Sequence, residues 1–121
     1  MVNVIIQALW LFVLGVLLSD HTNYNMSRKL SVDFEVYGRV QGVFFRKYTQ
    51  QEAKKLGLTG WCMNTEKGTV QGILEGDSEK ISQMKRWLEK TGSPSSRIDK
   101  AVFSNEKEAK SGQFSSFEIR R

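Results

Sequence analysis

Histidine and cysteine are nearly missing from this 121-residue chain, which holds one of each. The single histidine, His21, precedes the part of the sequence that reads as a folded domain. A histidine general base, a histidine nucleophile and a His-rich metal site are thereby set aside. The lone Cys62 excludes an intramolecular disulfide framework and a Cys-rich zinc site. Next to Trp61 in an apolar run, it reads as a buried structural thiol. Lysine and arginine are absent from residues 1–26, although the whole chain carries 18 of them. Because Asp20 is the only charge in that opening stretch, the rest of the chain carries +6. A basic domain of this size suits an anionic ligand, either a small phosphate ester or anhydride or a nucleic acid. It suits an ordinary soluble surface equally well, so charge does not decide.

Long apolar runs are also lacking, with one exception. Val4 to Leu18 is almost continuously apolar. A membrane-spanning helix needs roughly 20 such residues, so this run is short for that role. Its length suits a signal-peptide core, but the basic lead-in is missing and Leu17 is a poor match to a small-residue cleavage site after Ser19. If the segment is an anchor, Arg28 and Lys29 on its C-terminal side keep the following domain cytoplasmic. A product starting at Met26 would lack the segment altogether. The expected organisation is an apolar extension over 1–26 and one domain over 27–121. A cytoplasmic location is the first expectation, and a secretory or membrane-anchored product through residues 4–18 the second.

Ser31 to Tyr37 alternates, with Val32, Phe34 and Val36 on one face, and predicts a half-buried strand. A helix follows, with Phe45, Tyr48 or Thr49, Ala53 and Leu56 on its apolar stripe and Lys54, Lys55 and Gly57 as its stop. Leu58–Met63 and Thr69–Leu74 predict two strands joined by a turn with Asn64 and Gly68. Asp77 is the expected cap of a second helix carrying Ile81, Met84 and Leu88, with Trp87 alongside, which Gly92 and Pro94 end. A strand is expected around Ala101–Ser104, then a polar exposed connection from Asn105 to Gln113. A last strand is expected over Phe114–Ile119, with Phe117 and Ile119 inward. The order is strand, helix, strand, strand, helix, strand, plus a short final strand. It predicts an α+β ferredoxin-like split βαβ sandwich, an antiparallel or mixed sheet with two helices on one face.

Between the first strand and first helix lies Gly38-Arg39-Val40-Gln41-Gly42-Val43-Phe44-Phe45-Arg46. Two glycines there let the backbone turn tightly and point several N–H groups one way, and those donors together with the positive end of the helix dipole make a ready anion site. Arg46, in the first helical turn, can close on an anion with a bidentate fork. On spacing alone this is equally a glycine-containing turn with a surface arginine. It is not the P-loop pattern, which ends in Gly-Lys followed by Ser or Thr.

Gly38 to Arg46, then Gly60-Trp61-Cys62-Met63-Asn64-Thr65 and Lys67-Gly68-Thr69-Val70, and later Gly92 to Asp99, closely resemble the acylphosphatase family. The resemblance runs from about Leu30 to the C-terminus in the same order and spacing. It implies the same ferredoxin-like architecture and an enzyme that hydrolyses an acyl phosphate to a carboxylate and inorganic phosphate. It further implies that the loop of Arg39, Val40, Gln41, Gly42, Val43, Phe44 and Phe45 binds the phosphate. Arg46 is then the essential cationic ligand and Asn64 the residue that holds the attacking water. Gly38 and Gly42 then serve backbone conformation, and Thr65 supports Asn64 through its hydroxyl. No metal and no cofactor are implied, the partner is a small-molecule acyl phosphate, and the expected state is a monomer. Arg97, Arg120 and Arg121 read as ordinary charged surface.

Two other functions fit the same topology. An RNA-binding module needs exposed sheet aromatics, but Phe34, Phe103 and Phe117 fit core positions better and the RRM signature is absent. No nucleic-acid partner is therefore expected. The other is a phosphate-binding domain without catalysis, against which Arg46 and Asn64 both stand.

Overall fold

The computed structural model describes residues 28–110 and 112–121. The apolar run of residues 4–18 and the division at residue 26 lie outside the described residues. No described helix is long and apolar enough to cross a membrane.

The elements are β1 (Lys29–Arg39), α1 (Phe45–Lys55), β2 (Thr59–Asn64), β3 (Val70–Asp77), α2 (Ser78–Lys90), β4 (Arg97–Glu108) and β5 (Phe117–Arg120). They build one five-stranded sheet in the order β4-β1-β3-β2-β5. The β1–β3, β1–β4 and β2–β3 pairs are antiparallel, and β5 joins β2 in parallel. This is the ferredoxin-like α+β fold with an added edge strand.

Period-two patterning puts Val32, Phe34 and Val36 of β1 on the buried face, together with Val70 and Leu74 of β3 and Cys62 of β2. The helices cover that face with stripes of helical spacing: Phe45, Thr49 and Ala53 from α1, and Ile81, Met84 and Leu88 from α2. Thr49, not Tyr48, takes the buried place. Its hydroxyl is satisfied by donating to the Phe45 carbonyl one turn back, at 2.8 Å. The Phe45 and Trp87 rings meet between the helices, their centroids 5.9 Å apart. At the end of α1, Gly57 N–H donates to the Lys54 carbonyl and Leu58 N–H to the Ala53 carbonyl. With Gly57 at φ 72, this is a Schellman ending, and it turns the chain directly into β2.

Three local expectations change. β4 does not stop near Ser104 but runs to Glu108, so Asn105 to Glu108 is strand and not a free connection. These residues pair with β1 on an outer edge, where a polar strand is tolerated. Asn105 sits at φ 52 beside a register shift between Ser31 and Asp33 of β1, a bulge that breaks the alternation a sequence pattern relies on. The last strand starts at Phe117, not Phe114. Asp77 stands at the start of α2 but makes no side-chain cap; its carboxylate lies 2.8 Å from Lys29 Nζ.

A second bulge lies between Tyr37 and Gly38 at the end of β1, directly before the glycine loop. Gly38 has φ 132, and a Cβ there would fall 2.1 Å from the Arg97 carbonyl oxygen and 2.8 Å from Asp99 N. Both obstacles are backbone. Gly38→Ala therefore forces β1 and β4 apart where the loop begins, and a loss of about 2–3 kcal/mol is expected. Chemical denaturation measures it; a midpoint equal to wild type would show that this close approach does not matter.

Candidate active site

The loop between β1 and α1 is held from three sides. Val40 and Val43 are buried in the core. Gln41 reaches across to the β2–β3 turn, where Nε2 donates to the carbonyls of Thr65 and Thr69, both at 2.9 Å. From the α2–β4 connection, the buried Ser93 hydroxyl donates to the Val43 carbonyl at 2.8 Å. Between these ties the backbone takes positive φ twice, at Gly42 (72°) and Phe44 (58°). Left-handed residues alternating with ordinary ones turn successive N–H groups to one side, as in an anion nest. The loop then becomes α1, which has neither a side-chain cap nor an acidic residue in its first turn. Its first N–H groups and the positive end of its dipole have no side-chain anion to satisfy them.

These groups open onto a cavity of about 530 Å³. Val40, Gly42, Phe44, Phe45, Arg46 and Lys47 line one side. Asn64 from the end of β2, with Ile119 and Arg121 from the C-terminal strand region, lines the other. Arg46 forms no ion pair among the described residues. Asn64 Oδ1 is buried with no hydrogen-bond partner among the described residues. A buried acceptor in that condition is uncommon and marks a place where a polar group is wanted.

The expected site residues thus divide. Arg46, Asn64, Val40, Gly42, Phe44 and Phe45 share the cavity. Arg39 is exposed at the end of β1, Gln41 faces the hairpin and Val43 faces the core. These three side chains turn away from it, and only their backbone N–H groups are left for the expected role. Thr65 does not bond to Asn64. The Thr69 hydroxyl donates to Glu35 Oε2 at 2.6 Å. Its single proton is then used, so the Thr65 hydroxyl donates in turn to Thr69 Oγ1, also at 2.6 Å. Sequence reasoning missed Lys47, Ile119 and Arg121 at the cavity, and Ser93 and Glu35 behind it. Gly92-Ser93 was visible within a resembling block, but the reach of Ser93 to a loop 50 residues earlier was not. Arg97, beside Asp99, and Arg120, over the Trp61 ring at 4.5 Å, are both exposed as expected.

The acylphosphatase family model matches residues 32–119, which includes every strand and helix of the sheet except the first residues of β1 and the end of β5. The chain belongs to the acylphosphatase family. It is 60% identical over 90 residues to acylphosphatase-2 of Bos taurus, a match covering 74% of this chain and 91% of that one. Acylphosphatase-1 of Xenopus tropicalis is 59% identical over 90 residues, covering 74% and 92%. The crystal structure of acylphosphatase from Bacillus subtilis superposes with a TM-score of 0.69 at 33% identity, covering 76% of this chain and 99% of that one. The three phenylalanines weighed for the nucleic-acid alternative do not form an exposed stacking platform. Phe34 and Phe117 are buried, Phe103 packs against the core, and Asp33 and Glu35 lie on the open side.

Cys62 of β2 is buried against the first turn of α1, its Sγ 3.9 Å from the Arg46 carbonyl oxygen. Burial pushes its thiol up to about 12, against a smaller opposing pull from the Arg46 cation. It is a neutral packing group, not a nucleophile.

Glu35 anchors the hairpin behind the loop, with Lys67 Nζ 3.1 Å away. The Thr69 hydroxyl bond holds its carboxyl below the ordinary value of 4.5, with partial burial opposing and Lys67 and Tyr37 assisting. A depressed folded-state pKa gives stability that is present above the unfolded value and lost as pH falls through the folded one. Glu35→Gln is therefore expected to have a lower denaturation midpoint than wild type at about pH 7, with the gap closing below about pH 4.5. A gap that stays constant down to about pH 3 would contradict this role for the carboxylate.

Proposed function

We propose that this acylphosphatase-family chain hydrolyses acyl phosphates with the loop N–H groups and Arg46 on the phosphate and Asn64 on the attacking water. The observation that carries the reading is the meeting of Arg46 and Asn64, from different elements, at one cavity floored by an uncapped helix start. Phosphoryl transfer asks mainly for positioning and for stabilisation of charge on the phosphoryl oxygens. Fixed backbone donors supply this without ordering side chains, and a guanidinium adds a charge that does not titrate at physiological pH.

The Asn64 side-chain amide, at the cavity wall, holds the attacking water by a hydrogen bond, which turns a water lone pair toward phosphorus. As the new P–O bond forms, the bond from phosphorus to the acyl oxygen breaks, and its electron pair leaves with the carboxylate. The water's proton passes to a phosphate oxygen. A carboxylate is a good leaving group, so this scheme uses neither a histidine base nor a covalent intermediate. The same reading takes the enzyme as a cytoplasmic monomer acting on a small molecule, the site being assembled from a single chain.

Arg46→Lys keeps the charge and loses the fork. A fall of roughly 100-fold or more in kcat/KM is expected, in line with removal of a transition-state donor. Asn64→Ala is expected to lower kcat by a similar factor with little change in KM. Steady-state hydrolysis of an aromatic acyl phosphate measures both. Near-full activity of Arg46→Lys, or a pure KM effect of Asn64→Ala, would contradict the assigned roles.

A further inference from the structure

Phe44 is the large side chain of the loop that turns outward. It is 73% exposed between the buried Val43 and Phe45. Its backbone is left-handed, with φ 58 and ψ 24, a conformation bulky residues rarely adopt. Neither burial nor backbone preference explains a phenylalanine here, so the fold itself has no use for the ring. Phe44 lines the same cavity as Gly42 and Arg46, with Ile119 of β5 as a second apolar group on its border.

An acyl phosphate has two ends joined through one bridging oxygen. With its phosphate in the loop, the acyl substituent must leave the cradle within a few ångströms, along the cavity wall. We infer that Phe44, with Ile119, forms the contact surface for the substrate's acyl group and selects aromatic or bulky apolar acyl phosphates over small ones. This rests on the reading of the phosphate site given above. The contact is made to a part of the substrate that does not react. It therefore strengthens binding of ground state and transition state alike and shows in KM more than in kcat.

The test compares benzoyl phosphate with acetyl phosphate on the full chain, as wild type, Phe44→Ala and Phe44→Leu. The quantity read is the ratio of the two kcat/KM values. Both substrates carry the same phosphate, so a disturbance of the loop itself cancels in the ratio. An aromatic contact of ordinary strength predicts that the ratio falls about 3- to 10-fold in Phe44→Ala, through KM, with Phe44→Leu between. A ratio that is unchanged or rises, or one that falls through kcat alone, overturns the inference while leaving acyl phosphate hydrolysis intact. Failure of the wild type to hydrolyse either compound overturns the underlying site reading, and this inference with it.

Discussion

The Gln41 side chain, bonded to the Thr65 and Thr69 carbonyls, is the interaction on which the loop depends most. An anion cradle has conflicting needs: its backbone must be rigid, yet its N–H groups must stay unpaired. Ordinary loops become rigid by pairing those groups internally. Here rigidity comes from a side-chain amide reaching outward, a serine hydroxyl reaching in to the Val43 carbonyl, and two valines set in the core. Carbonyls and side chains make the ties, so the N–H groups are spared. Gln41 also joins the two halves of the site, because its acceptors begin one residue after Asn64.

The support continues behind the hairpin. Thr65, Thr69, Glu35 and Lys67 form a chain of bonds from the turn to β1, the strand from which the loop departs. The turn and the loop are thus connected twice, through Gln41 and through the sheet. Such a closed circuit resists motion better than either tie alone, since displacing one partner strains the other. Helix α1 completes the arrangement. Its buried stripe of Phe45, Thr49 and Ala53 fixes the direction of the first turn and with it the base of Arg46.

Much of this fold was legible because its core face repeats at the two simplest periods. Val32, Phe34 and Val36 announced β1, and Ile81, Met84 and Leu88 announced α2. The far half of β4 was not legible. An edge strand of Asn105 to Glu108 has polar residues on both faces, and a bulge disrupts what alternation remains. For the site, the glycine loop and Arg46 were visible as an anion motif, and the resemblance to acylphosphatases added Asn64. The long-range partners were hidden for a different reason. Ser93, Ile119 and Arg121 come to the site through helix packing and the parallel pairing of β5 with β2, which no local pattern encodes. Thr65 was expected to support Asn64 through its hydroxyl, but that hydroxyl bonds to Thr69, since residues next to each other at a strand end point to opposite faces.

The measurement that tests this account most directly is a titration of the full chain with inorganic phosphate, followed by amide proton and nitrogen chemical shifts. If the loop and the helix start are the phosphate cradle, the largest shifts fall on the amides of Gly42 to Lys47 and on the Arg46 side chain. They saturate together, with one dissociation constant. Shifts scattered over surface lysines, or centred on the open sheet face with residues 42–47 silent, would contradict it.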